Sequence, residues 1–154
     1  MVTWSGKLEL TSPAFSDGGE IQRKCGYKNG NEKQELELTE IPKGTMSLAL
    51  IMDDPDAMGA VGKVWVHWVM WNIRSNTAAI GNDSANGTEG MTDFGEVGYG
   101  GPAPPDKRHT YVLKLYALNN TLDLPKESTK AEVEKAMEGH ILEQATLTGT
   151  YAPD

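Results

Sequence analysis

A chain of 154 residues fits one compact unit of roughly 150 residues, and such a domain buries about 70% of the surface its unfolded chain exposes, so folding alone requires no metal, disulfide or partner. Lys and Arg number 14 against 22 Asp and Glu, a formal net charge of −8. That sign, with no more than two basic residues adjacent anywhere, excludes the clustered Lys and Arg on which nucleic-acid backbones and anionic membrane surfaces depend.

Period-two alternation comes first: Lys7 to Thr11 and Glu35 to Thr39 each place Leu on one face and polar residues on the other, the pattern of a half-buried strand. Thr45 to Met52 is a more continuous apolar run that Asp53, Asp54 and Pro55 stop, which predicts a central strand ending at an acidic turn. Val64 to Ile73 is β-branched and Trp-rich, and apolar throughout except for His67 and Asn72, as expected of a strand covered on both sides. Arg108 to Leu118 alternates again, with His109, Tyr111, Leu113 and Leu115 on one face, and Thr146 to Tyr151 predicts a short last strand. Only one helical pattern stands out. Thr129-Lys130-Ala131-Glu132 fits a capping box, and Val133, Ala136, Met137, His140 and Ile141 follow at helical spacing, with Gly139 a point where the helix can break in two.

Between the strands, Arg74 to Lys107 carries seven glycines and three prolines with little periodicity, far beyond the usual connection of about 4–6 residues. It reads as an ordered binding loop. The expected fold is mainly β: an antiparallel β-sandwich with one or two peripheral C-terminal helices, as a single domain over 1–154.

No apolar stretch approaches the ~20 residues of a membrane helix, and the start Met1 to Lys7 lacks the basic and apolar pattern of a secretory leader, so a cytoplasmic protein is expected. Cys25 is the sole cysteine, which removes an internal disulfide and a zinc site of paired thiolates. The Asn-x-Ser/Thr triplets at Asn82, Asn86 and Asn119 are then surface turns. Asp54-Pro55-Asp56 fails as a calcium loop, because Met58 and Trp65 stand where ligands are needed. Gly95 to Gly101 runs into Pro102 and not into a nucleotide-binding helix, and there is no Gly-x-Ser-x-Gly elbow.

His67 interrupts an apolar strand, so its ring must find a partner or bear the cost of desolvation. His109 and Tyr111 begin another strand directly after the glycine and proline segment, and Asp54 ends a third. Strand ends beside one long loop can converge on a pocket. A carboxylate on one imidazole nitrogen sets the tautomer and leaves the other for a ligand. With the amides of Gly100, Gly101 and Ala103, two such rings suit a small oxyanion such as phosphate. The same residues leave other chemistry open: two histidines and a carboxylate can hold Fe(II) or Zn(II), and Cys25 with a His and an Asp can form a nucleophile. His140 reads as structural. Trp65, Trp68 and Trp71 read as core, with Trp65 sharing the His67 face as a pocket wall.

Asp54-Pro55-Asp56-Ala57, Val66-His67-Trp68-Val69-Met70-Trp71-Asn72-Ile73 and Tyr99-Gly100-Gly101-Pro102-Ala103-Pro104-Pro105, followed by His109 and Tyr111, together resemble the phosphatidylethanolamine-binding protein family, most of all its short bacterial and archaeal, Raf kinase inhibitor-like branch. The likeness runs from Ser12 to Tyr151. It implies an antiparallel sandwich with a small anion pocket at one end, lined by Asp54, His67, His109 and Tyr111, with Trp65 nearby and Gly101, Ala103 and Pro105 in the loop. It also implies phosphate-bearing head groups as ligands, inhibition of kinases or serine proteases by some members, and homodimers. Three departures stand out: Met58 in place of a proline, Thr110 in place of an arginine, and Lys107-Arg108 where a glycine is common. The expectation is a non-enzymatic, cofactor-free anion or phosphoryl binder, with His67 and His109 as donors, Asp54 as the acceptor orienting both, and Tyr111 as a hydroxyl contact. Affinity then falls as pH rises and imidazolium is lost. A protease- or kinase-inhibiting interaction module and a metal-dependent enzyme are the alternatives.

Overall fold

Burial on both faces makes the run from Ser47 to Asp54 the centre of the molecule: all eight of its residues are buried. The computed structural model describes residues 7–82 and 87–154; the first six residues, which bear on the leader reading, and Asn86 lie outside them. In chain order the elements are β1 (Glu9–Thr11), β2 (Gly19–Glu20), a 3-10 turn at Arg23–Cys25, β3 (Leu36–Thr39), β4 (Ser47–Asp54), α1 (Ala57–Val61), β5 (Trp65–Ile73), β6 (Ala79–Ile80), β7 (Thr88–Glu89), β8 (His109–Leu118), α2 (Lys130–Met137) and β9 (Ile141–Tyr151). No helix among the described residues is long and apolar enough to cross a membrane.

The strands form a six-stranded sheet, ordered β2-β9-β8-β4-β5-β7, and a three-stranded sheet, ordered β1-β3-β6. Leu8, Leu10, Leu36, Leu38 and Ile80 pack between the sheets against Leu48, Leu50, Met52, Leu113 and Leu115. Ala49, Ile51, Val69 and Trp71 point out of the opposite face and are covered by Val133 and Met137 of α2. The chain is therefore a mainly β sandwich with a helix laid over its larger sheet.

Several elements differ from the sequence-based expectation, each for a local reason. β9 is eleven residues long and not six; it runs antiparallel to β8 from Ile141 to Tyr151. The helix stops at Met137, because Gly139 adopts φ +79° and the Asn119 amide donates to the His140 carbonyl, so Ile141 starts a strand. There is one C-terminal helix, and the Thr129–Glu132 capping box opens it. The pairing is not wholly antiparallel, since β2 lies parallel to β9. The segment from Arg74 to Lys107 includes the two-residue strands β6 and β7, too short to carry a periodic signal. α1 was not anticipated; Asp56 precedes it and Gly62, at φ +79°, ends it.

One irregularity positions the site. Met52 pairs with Trp68 and Asp53 with Val66, so His67 is the extra residue of a β-bulge. A bulge resets the alternation of faces. Trp68 then faces the inter-sheet core and Val66 packs against the α2 side. His67 is left on the Tyr111 side, ring against ring at 5.1 Å between centroids.

Candidate functional site

At the end of the inter-sheet core, where β4 stops and β5 and β8 begin, lies a cavity of about 150 Å³. That is room for a molecule the size of benzene. Asp54, His67, His109 and Tyr111 contribute its polar groups, and Trp65, Phe94 and the small side chains of α1 make up much of its apolar wall. Ala103, Pro104 and Pro105 close it from the loop.

The acidic turn locks β4 onto β8. Asp54 Oδ1 accepts the Asp56 amide at 2.9 Å and Asp54 Oδ2 meets His109 Nδ1 at 2.5 Å. Asp56 Oδ2 accepts the Thr110 amide at 2.8 Å. Asp53, one residue earlier and hence on the opposite face, pairs with Lys130 at 2.6 Å. Strict alternation along β4 thus sends one carboxylate to the cavity and its neighbour to α2.

The two histidines are held in different ways. Nδ1–H of His67 donates to the Gly100 carbonyl at 2.6 Å, and the Gly100 amide donates back to the His67 carbonyl at 2.9 Å. That bond sets the tautomer. Nε2 keeps its lone pair and has no hydrogen-bond partner among the described residues. Burial pushes the His67 pKa down, against the Gly100 carbonyl and the Asp54 charge, so the ring is neutral at pH 7. His109 has no free nitrogen: its Nε2 meets Asp106 Oδ1 at 2.7 Å while its Nδ1 meets Asp54. A neutral imidazole carries one N–H; two carboxylates on one ring call for an imidazolium. Burial opposes that charge, but the hydrogen bonds and charges of Asp54 and Asp106 outweigh it, and the His109 pKa is raised.

Tyr111 is fully buried, and its hydroxyl has no hydrogen-bond partner among the described residues. Burial and then the nearby Asp54 charge raise its pKa, so it stays protonated. Asp54 and the Ala103 backbone lie near enough to that hydroxyl to shift its pKa in opposite senses, so a ligand oxygen reaching it would meet them there.

The structure therefore brings Asp54, Trp65, His67, Ala103, Pro105, His109 and Tyr111 around one cavity and leaves Gly101 out. The Gly101 amide donates to Asn31 Oδ1 at 2.7 Å, and a Cβ at this residue would overlap the Cys25 carbonyl oxygen. Glycine is needed there for close packing. The Gly100 amide is likewise taken, by His67. Asp54 orients His109 and not both rings; His67 is oriented by backbone.

Of the departures, Met58 is exposed on α1, Lys107 is exposed, and the Thr110 amide holds Asp56. Cys25 is buried, its thiol pushed up to about 11 chiefly by desolvation, and it does not line the cavity, which leaves the nucleophile reading without support. No group of three or more His, Cys, Asp or Glu placed to hold a metal ion occurs among the described residues. His140 Nδ1 meets Asn119 Oδ1 at 2.9 Å, a structural contact at the turn into β9.

Three residues were missed by the sequence reading. Asp106 stands three positions before His109, a spacing that could have raised the pairing. Phe94 walls the cavity from inside the glycine-rich segment. Asn31, at φ +54°, clamps the 99–101 loop from both sides: its Nδ2 donates to the Tyr99 carbonyl at 3.0 Å and its Oδ1 accepts from Gly101. Nothing in the sequence around Asn31 signals that role.

Comparison with known proteins agrees with this architecture over nearly the whole chain. The profile of the family described as phosphatidylethanolamine-binding protein matches residues 11–152. A UPF0098 protein of Methanothermobacter thermautotrophicus is 39% identical over 151 residues, which span 94% of this chain and 98% of that protein. Among solved structures, the putative phosphatidylethanolamine-binding protein homologue CT736 of Chlamydia trachomatis superposes with a TM-score of 0.91 at 33% identity, covering 97% of this chain and 100% of that one. Escherichia coli YbcL, described as a member of the mammalian family, superposes with a TM-score of 0.86 at 26% identity, covering 96% and 99%.

Proposed function

The chain belongs to the phosphatidylethanolamine-binding protein family, and from that premise we propose that its cavity binds a small phosphoryl ligand without transforming it. The observation that carries this reading is a small cavity lined by two buried polar side chains with unpartnered atoms, His67 Nε2 and the Tyr111 hydroxyl. Both are matched to an oxygen acceptor once His67 takes a proton. The Tyr111 O–H donates directly. The His67 Nδ1–H stays on Gly100, and a proton gained at Nε2 points at the ligand.

Charge decides the ionic form. Asp54 and Asp106 carry two negative charges against the single positive charge of His109, so a dianion meets net repulsion until His67 is protonated. A monoanionic phosphate or phosphate monoester arriving with a proton is the favoured form. Because burial holds the free His67 neutral near pH 7, binding takes up a proton and affinity falls as pH rises. Titration calorimetry with inorganic phosphate at about pH 6 and about pH 8, around the ordinary histidine pKa, tests this. Binding that weakens at the higher pH and disappears in His67→Ala supports the reading; no binding at the lower pH, or tighter binding at the higher, overturns it.

A further inference from the structure

The Asp106 carboxylate is placed where an external anion would have to sit to use His109. It meets His109 Nε2 at 2.7 Å, on a ring whose other nitrogen is already held by Asp54. The two acids are unlike in setting: the Asp54 side chain is 4% exposed and that of Asp106 is 42% exposed. Asp54 is fastened at both oxygens, whereas Asp106 reaches the ring from a surface turn.

We propose that Asp106 is a specificity-determining residue, a resident carboxylate that occupies the Nε2–H of the His109 imidazolium and so withholds it from phosphoryl ligands. The inference rests on the reading of the cavity as a phosphoryl site and goes beyond it by naming what limits that site. An incoming phosphoryl oxygen and the Asp106 oxygen compete for one charge-assisted donor. With Asp106 in place, the ligand has His67 and Tyr111 alone. With Asp106 turned out, it gains a third donor, charged below the raised His109 pKa.

The geometry allows that exchange at small structural cost. Pro105 fixes the backbone before Asp106. Arg108 anchors the chain after it, through Glu20 at 3.2 Å and Thr150 at 3.3 Å. The Asp106 side chain is already 42% exposed, so turning its carboxylate into solvent gives up the His109 contact and the backbone contacts at Asp106 and Lys107 without moving the chain. Asp54 stays on Nδ1 and keeps the ring charged, and Lys107, exposed beside Asp106, offers no carboxylate to replace it.

The test uses the full chain as wild type, Asp106→Ala, Asp106→Asn and Asp106→Glu. Phosphate affinity is measured by calorimetry at about pH 6, where the histidines are most readily charged, and the His109 pKa by NMR titration without ligand. Asp106→Ala is expected to bind inorganic phosphate about tenfold more tightly or better, the scale of one charge-assisted hydrogen bond. Asp106→Asn is expected to fall between it and wild type, and Asp106→Glu to retain much of the restriction. The His109 pKa drops in the Ala and Asn variants. Phosphate bound equally by wild type and Asp106→Ala overturns the inference and leaves the reading of the cavity standing. Phosphate bound by neither, at millimolar concentration, overturns both. An unchanged His109 pKa in Asp106→Ala also overturns the inference, because the carboxylate is then not on the ring in solution.

Discussion

His67 and His109 line one cavity and are both buried, yet they differ in charge and in the groups that hold them. His109 sits between two carboxylates, carries a proton on each nitrogen and has none to spare. His67 hangs from a backbone carbonyl, is neutral, and has no hydrogen-bond partner for Nε2 among the described residues. Residue type alone therefore says little about which histidine meets a ligand. The partners already taken by each nitrogen decide it.

Removing Asp54 breaks the comparison hardest. Asp54→Ala strips the imidazolium of its buried partner and frees the turn into α1, so a loss of about 3 kcal/mol or more is expected, the scale for breaking a buried ion pair on one side. Urea unfolding measures it. A loss under 1 kcal/mol would mean that Asp106 alone holds the ring.

Next in size is the contrast within the pair. His67→Gln is expected to cost about 1–2 kcal/mol of stability, typical of a buried substitution, and to abolish phosphate binding. The two histidines also bend the pH dependence of stability in opposite senses. His109, with a raised folded pKa, contributes stability that is complete below about pH 6.5, the unfolded value, and is lost as pH rises through the folded pKa. His67, with a depressed folded pKa, contributes stability present above about pH 6.5 and lost as pH falls through its folded value. Urea midpoints across that range should therefore lose the acid-side decline in His67→Gln and the alkaline-side decline in His109→Gln. The reverse assignment would show that the charge states are exchanged.

Asn31→Ala sharpens the comparison on the His67 side. It deletes two hydrogen bonds to the 99–101 loop, for an expected cost of about 1–2 kcal/mol. It also releases the Gly100 carbonyl from its setting, so nitrogen chemical shifts should report a mixed His67 tautomer while His109 is unmoved. If both rings shift together, the loop acts on the whole cavity and not on His67. The smallest effect is expected on the far face of the large sheet. Thr129→Ala removes the α2 cap and about 1 kcal/mol, with phosphate affinity unchanged.

Much of this architecture was open to reading along the chain. Leu48, Leu50, Met52 and then Asp54 alternate without interruption, as do Leu115, Leu113, Tyr111 and His109, so one face of each strand delivers its polar end to the same place. Hydrophobic periodicity is local, and local information suffices for these eight positions on two strands and for the Thr129 cap. It fails at His67, because strict alternation back from Val69 puts His67 on the α2 side. Only pairing with β4 shows the extra residue that turns it round.

What the linear order of residues settled was the β class, the central strands and the identity of the polar groups at their ends, since side-chain period and turn chemistry act over a few neighbours. What the folded molecule alone decided was which nitrogen of each ring is free. Asp54 reaches His109 across 55 positions, Gly100 reaches His67 across 33, and Asn31 braces Gly101 across 70. Hydrogen bonds of that span exist only once the sheets are packed, because short contact distances between remote residues are set by tertiary closure and by no pattern within the chain.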